Sequence, residues 1–416
     1  MVKNISFEKV FYYTFAVYLL LGYLQARGWL QSNFLYAIIH IMIFIWGIQS
    51  FIMPQRRNNR IKNLMLVFII YVVLSGFLYL MIDRPFSCYM DSVRNFILPM
   101  LLFYSGMVCR DKNRFYYVIG GSFVLILFLT LIPYITFAPW YIDYISSLRI
   151  RTLEVYDAGM IANMRFSATM ASSYFVMYLT YPILCFLLNK VVIEKQNSVF
   201  LYIMIIVCLI SLFLCQQRTA ILFAFISVPF FLYFSKRKVG SILIFTILIA
   251  AILYFWGRSG LERTGDLSDL LGNRIQAMSF SEAFGEREAG VTKVFSVWKN
   301  PILGDGVGVY SHAAHYQGYI SVNDCAWIKI LVENGVVGLL IFLVIYILTL
   351  VRAIKYRKFF YQEILIMIFF GVAMIGSDSL SMVVLYPLLF WFTLGLVWNP
   401  RSITSNISQI EVNKKD

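Results

Sequence analysis

Apolar runs of membrane-crossing length recur between residues 10 and 398, parted by short polar turns. A run of roughly 17–25 apolar residues crosses a bilayer as a helix, because no water is there to pair its backbone N–H and C=O groups. Twelve such runs are legible, near 10–25, 33–53, 63–82, 95–109, 115–138, 170–188, 199–215, 219–235, 239–257, 335–351, 361–376 and 382–398. The stretch 199–235 divides in two, since Gln216, Gln217 and Arg218 interrupt it and one helix across it would be far too long. A soluble fold is excluded on area. Hydrophobic residues make up 60% of the 416 and charged residues 13%, with a mean hydropathy of +0.76, leaving too little polar surface to cover a water-facing shell. The first run lacks a small-residue cleavage site and reads as a retained helix rather than a leader peptide.

The net charge of +14 does not form a nucleic-acid patch. It sits in clusters between the runs: Arg56, Arg57, Arg60 and Lys62; Arg110, Lys112 and Arg114; Lys236, Arg237 and Lys238; Arg352, Lys355, Arg357 and Lys358. With both termini cytoplasmic, every cluster falls on the cytoplasmic side, giving 21 Lys and Arg against 6 Asp and Glu inside, and 14 against 15 outside. The expected fold is an all-α polytopic membrane protein of about twelve spans. Residues 1–257 carry helices 1–9 and an outer loop at 139–169. A large outer loop spans 258–334, helices 10–12 occupy 335–398, and 399–416 form a cytoplasmic tail. A loop as long as 258–334 exceeds what a connector needs, which points to function. Within it, 273–284 and 287–299 have the composition of short interfacial helices. The six cysteines show no C-x-x-C spacing, so no metal site is expected.

Candidate chemistry gathers on the outer side. Arg218 lies in the turn Gln216-Gln217-Arg218-Thr219, at a depth where a charge calls for a partner. A diphosphate would satisfy it through bidentate bonds, and so would lipid headgroups. Arg94, Arg165, Arg149, Arg151 and Arg287 fall on the same side; together they would make a basic pocket, singly each reads as a solvated charge. The run Asn300-Pro301-Ile302-Leu303-Gly304-Asp305-Gly306-Val307-Gly308-Val309-Tyr310 lacks the strand–turn–helix setting and the Lys-Ser/Thr ending of a nucleotide loop, so its glycines suit close backbone packing or a close approach to a ligand. His312 and His315 follow it. Asp324 could act as a base, Glu333 reads as a helix N-terminal charge, and Asp378 as a helix cap. Pro139-Trp140-Tyr141-Ile142-Asp143-Tyr144 offers aromatic faces for sugars or an interfacial belt.

In order and spacing these segments resemble the O-antigen polymerase and ligase superfamily of membrane glycosyltransferases. Met164-Arg165-Phe166-Ser167 looks like that family's arginine before the sixth helix, and Arg218 with Leu222 fits its R-x3-L pattern. Arg287 stands fourteen residues before Pro301, leading into a segment similar to the family's "hPllGvGpgnf". "NDCAWIKILVENGVVGLL" is similar to its "DNxYLxxLxExGxxG". The resemblance covers about 165–342.

It implies a GT-C-like, cofactor-free and metal-independent transferase in the bacterial inner membrane. The donor would be an undecaprenyl-diphosphate-linked oligosaccharide, with Arg165, Arg218, Arg287, Arg94 and His312 binding it. Arg218 would stabilise the leaving diphosphate, and His315 or Asp324 would deprotonate the acceptor. The resemblance also allows for a chain-length-regulating co-polymerase as a partner; no nucleic acid is implied. The ligase pattern places a histidine twelve residues before the first glycine of its G-x-x-G element. Counting back from Gly335 that position holds Asn323, which favours polymerase with ligase as the alternative. A transporter is the competing class, and it would keep ionisable residues near mid-membrane.

Overall fold

The computed structural model describes residues 7–29, 34–53, 59–79, 84–136, 138–150, 166–169, 173–215, 217–234, 292–322, 325–378, 380 and 387–401. Among these residues the fold is entirely helical. The elements are α1 (Phe7–Ala26), α2 (Phe34–Ile52), α3 (Asn59–Tyr79), α4 (Phe86–Ser92), α5 (Leu102–Val108), α6 (Lys112–Ile135), α7 (Pro139–Ile150), α8 (Ser173–Leu188), α9 (Val199–Leu214), α10 (Arg218–Phe234), α11 (His312–Tyr316), α12 (Ala326–Lys355), α13 (Arg357–Ala373) and α14 (Leu388–Val397).

Among the described residues four helices are long and apolar enough to cross a membrane: Arg60–Leu78, Lys112–Ile135, Ser173–Ile193 and Ala326–Lys355. Ala37–Ile52, Val199–Leu214, Thr219–Phe231 and Leu388–Val397 are shorter apolar helices. The expected run at 239–257 lies outside the described residues. Two expected helices differ in form. The run at 95–109 begins earlier, at Phe86, and is interrupted by a π-turn (Val93–Ile97) and by Pro99 before α5. The run at 335–351 begins nine residues earlier, at Ala326, and breaks at Gly335.

Packing explains which helix sits where. α8 is the centre: every residue from Ser173 to Leu188 is buried except Tyr174. A helix apolar all round belongs inside a bundle. Its rings stack outward, Tyr181 on Phe369 (4.2 Å between centroids) and Tyr178 on Phe370 (5.3 Å), both on α13. α5 and α14 approach backbone to backbone. A Cβ on Gly106 would lie 2.3 Å from the Phe392 carbonyl oxygen, and one on Gly395 would lie 2.0 Å from that of Phe103. Small residues at such crossings let dispersion act over a long contact, the main attraction available between helices in lipid. The peripheral helices instead present apolar side chains outward, among them Ile41, Phe44, Val67, Phe77, Leu340 and Ile347. Water would not tolerate that surface; lipid does.

Candidate functional site

The break in α12 organises the end of the bundle opposite the basic turns 110–114 and 352–358. Gly335 adopts φ +64°, ψ −176°, so the helix stops and restarts there. The neighbouring carbonyls lose their in-helix partners, a serious cost at membrane depth. The glycine-rich segment pairs with them. Asp305 N donates to Val332 O (2.9 Å) and Gly306 N to Glu333 O (3.0 Å). In return Val336 N donates to Pro301 O (2.9 Å) and Val337 N to Ile302 O (3.2 Å), while the Tyr71 hydroxyl donates to Asn334 O (2.8 Å).

Only glycine permits this contact. A Cβ at Gly335 would stand 2.2 Å from Ile302 O, and one at Gly304 (φ +84°) 2.3 Å from Glu333 O. Gly335→Ala should therefore cost about 1–3 kcal/mol from its positive φ alone, before the collision is counted. A fall in the thermal midpoint of the purified protein would register it; an unchanged midpoint would mean that the two segments do not dock this way.

Asp305 sets the shape of the docked segment. Its buried carboxylate accepts the amides of Lys299 (3.1 Å) and Asn300 (2.8 Å) and the Tyr310 hydroxyl (2.6 Å). Burial first, and then that bond to the carboxylate, push the Tyr310 phenol pKa well above its usual value, so the phenol stays a donor. Tyr310→Phe should lower stability by about 1.5–3 kcal/mol, the usual cost of losing a bond to a charged group, in a thermal melt. Val322 N donates to Tyr310 O (3.0 Å), folding residues 311–322 back over the segment.

A charged network runs inward beside this junction. Arg94, half-exposed, pairs with Asp91, which also accepts Asn95 Nδ2 (3.1 Å). Deeper, Lys329 Nζ meets Asp378 Oδ2 at 2.7 Å, with both side chains buried. Asp378, Glu333 and Asp91 are the carboxylates whose charges act on Lys329. The turn bearing Asp378 is held by Ala326 N donating to Met374 O (2.9 Å) and by a hydroxyl pair between Tyr178 and Ser377.

Several sequence expectations change here. Asp378, read as a helix cap, forms an ion pair with Lys329. Glu333, two residues before the helix restarts, also accepts the Tyr310 amide at its Oε1 (3.0 Å) across the junction. In the aromatic stretch Tyr141 is core, the Tyr144 hydroxyl donates to Thr169 O (2.6 Å), and the Arg27 guanidinium covers one Trp140 face (4.3 Å). Of the residues expected at 287–299, 292–297 form a short helix.

The expected site residues are partly brought together. His312 and His315 stand one turn apart on α11 with rings 6.3 Å apart, and His312 Nε2 lies 2.8 Å from the Tyr316 hydroxyl. This element packs on α4, where Gln317 Nε2 donates to Ser87 Oγ (3.1 Å), so the histidines and Arg94 flank one short helix region. Arg218 opens α10. Phe166 N donates to Leu214 O (3.1 Å), tying the segment that follows Arg165 to the turn that leads to Arg218. Gln217 Nε2 anchors that turn on Ser173 Oγ (2.9 Å). Arg165, Arg287 and Asp324 themselves lie outside the described residues.

Sequence reasoning passed over Arg84, whose guanidinium lies over the Tyr319 ring at 3.9 Å, and over Lys329. An arginine just before a helix on the outer side was a weak signal. A lysine inside an apolar run was a strong one, because it demands a buried partner. Compared with known proteins, the chain matches no family model and no curated relative.

Proposed function

We propose that this protein is a membrane glycosyltransferase that polymerises undecaprenyl-diphosphate-linked oligosaccharide repeat units at the periplasmic face of the bacterial inner membrane. Both termini would be cytoplasmic, with about twelve spans in a GT-C-like arrangement. One observation carries the reading. The two segments most similar to the O-antigen polymerase and ligase superfamily, 300–310 and 323–340, interlock backbone to backbone at one junction, where residues 301–306 bond to 332–337. A built polar junction at the end of a bundle suits chemistry at the membrane surface.

In this reading the arginines Arg165, Arg218, Arg287 and Arg94 hold the diphosphate and stabilise the charge that develops on it as the glycosidic bond breaks. His315 or Asp324 removes the proton of the acceptor hydroxyl, and His312 helps to bind the donor. No metal is required, because the guanidinium groups supply the positive charge.

A transporter would need a polar path across the bundle. Along α13 the buried charges lie at the ends, Glu363 at one and Asp378 just beyond the other. Between them Phe369 and Phe370 pack on Tyr181, Tyr178 and Phe390, an aromatic layer that weighs against passage along this helix.

Deleting the gene in its host and separating the surface lipopolysaccharide on a gel tests the proposal. A core band with a single repeat and no ladder is the expected result. Bare core with polymer retained on the lipid carrier would make the protein the ligase, and an unchanged ladder would remove it from this pathway.

A further inference from the structure

Two arginines flank the short helix α4, and their charges stand differently. Arg94 pairs with Asp91. Arg84, two residues before the helix, forms no ion pair among the described residues, and its Nε has no hydrogen-bond partner there. It has no role in the glycosyl-transfer reading.

Residues 311–322 hold Arg84 in place. Its guanidinium lies against the Tyr319 ring, 3.9 Å from the centroid. The Tyr319 amide donates to Ala314 O (3.0 Å) and Gln317 Nε2 donates to Ser87 Oγ (3.1 Å), so one segment grips the turn into α4 at two points. Pro85, at φ −63°, stiffens the backbone between them. Burial raises the Tyr310 phenol pKa, and the Arg84 charge is an influence that opposes it, which puts the guanidinium within electrostatic reach of the docked segment. His315, Tyr316, Gln317 and Gly318 are the exposed residues of the covering segment. They carry polar groups or no side chain, which suits water rather than acyl chains.

We propose that Arg84 binds a phosphate-type oxyanion at this end of the bundle, the diphosphate of a lipid-linked donor. A half-buried guanidinium with no carboxylate beside it calls for an anion. With one face against an aromatic ring, what it still offers is the in-plane fork of N–H donors, which two oxygens of one phosphate group match. Stacking fixes the fork before the anion arrives, so little side-chain freedom is lost on binding. His312 and His315 belong to the element packed on α4 and bring further donors to the same region. That the anion is a diphosphate rests on the glycosyl-transfer reading; that Arg84 binds an oxyanion does not.

Calorimetric titration of the full chain in phosphatidylcholine nanodiscs with inorganic pyrophosphate tests the site without any measure of polymer. The protein is expected to bind pyrophosphate, and Arg84→Ala to weaken binding roughly 10- to 100-fold, the effect of losing bonds between charged groups. Arg60→Ala, which removes an exposed charge at the basic end, should leave the affinity unchanged. In the unaltered protein pyrophosphate should slow phenylglyoxal labelling of Arg84, read by mass spectrometry, a measurement that stands even where the variant does not accumulate. An unaltered protein that binds no pyrophosphate, or an Arg84→Ala protein that binds it equally well, would overturn the site. Protection of Arg84 by phosphatidylglycerol in the disc, with none from pyrophosphate, would give it to bilayer headgroups and overturn the diphosphate assignment. A surface ladder unchanged by gene deletion, with Arg84-dependent binding intact, would remove the glycosyl-transfer reading and support the oxyanion site.

Discussion

Replacing Lys329 by alanine is expected to destabilise the protein by about 3–5 kcal/mol, the cost of leaving one member of a buried ion pair alone. Lys329 and Asp378 are each 2% exposed and meet at 2.7 Å, so removing the ammonium takes the opposite charge away from a buried carboxylate. Glu333, whose charge also acts on Lys329, makes the stranded charge worse. A thermal melt in detergent followed by tryptophan fluorescence would read the loss. The double variant Lys329→Met with Asp378→Leu should recover most of it, since an apolar pair of similar volume has no desolvation cost to repay. A single variant as stable as the parent would show that solvent reaches the pair.

Arg218→Ala is expected to lower polymerisation by roughly 10²–10³-fold, the usual consequence of removing one preorganised group that stabilises developing negative charge. The proposed function gives Arg218 this role. Arg218 opens α10 beside a turn anchored through Gln217 and Ser173, and the segment that follows Arg165 is bonded to the same turn. Arg218→Lys should rescue little, because a point charge cannot reproduce the two parallel bonds of a guanidinium fork. The measurement is polymer length on a gel, alongside protein abundance in the membrane. Normal polymer from a well-accumulated variant would take Arg218 out of the site.

Much of the helix pattern was legible because lipid imposes a simple rule on each segment: long, apolar, and internally hydrogen-bonded. That rule is local, so α1, α2, α3, α6 and α8 fall close to the expected runs. It failed where a helix is interrupted. At the π-turn (Val93–Ile97) and at Gly335 polar residues, Arg94 and Asn95 in one case and Glu333 and Asn334 in the other, end the apolar run, so hydropathy sets a span edge where the helix in fact continues through an interruption.

The candidate site divides in the same way. The Asn300–Tyr310 glycines announced a close approach, of backbone or of a ligand, in a segment that lacks the setting of a nucleotide loop. What they approach was not legible: the partner is a helix break some thirty residues later. Lys329 was passed over although a lysine in an apolar run needs a partner, and Asp378, 49 residues on, reads as a cap because capping needs only neighbours. Arg84 went unremarked, since a lone arginine before a helix is ordinary until its neighbours are known.

By itself, then, the sequence determined the chain's solvent, its helical class and the distribution of its charge, since each follows from the composition of a segment against lipid or water. The tertiary structure alone decided which buried charges pair, where α12 breaks and what satisfies the break, and that Arg84 comes to lie against Tyr319. Those are properties of contacts between residues far apart in the chain. Their energies depend on distance and burial, quantities that exist only once the helices have packed.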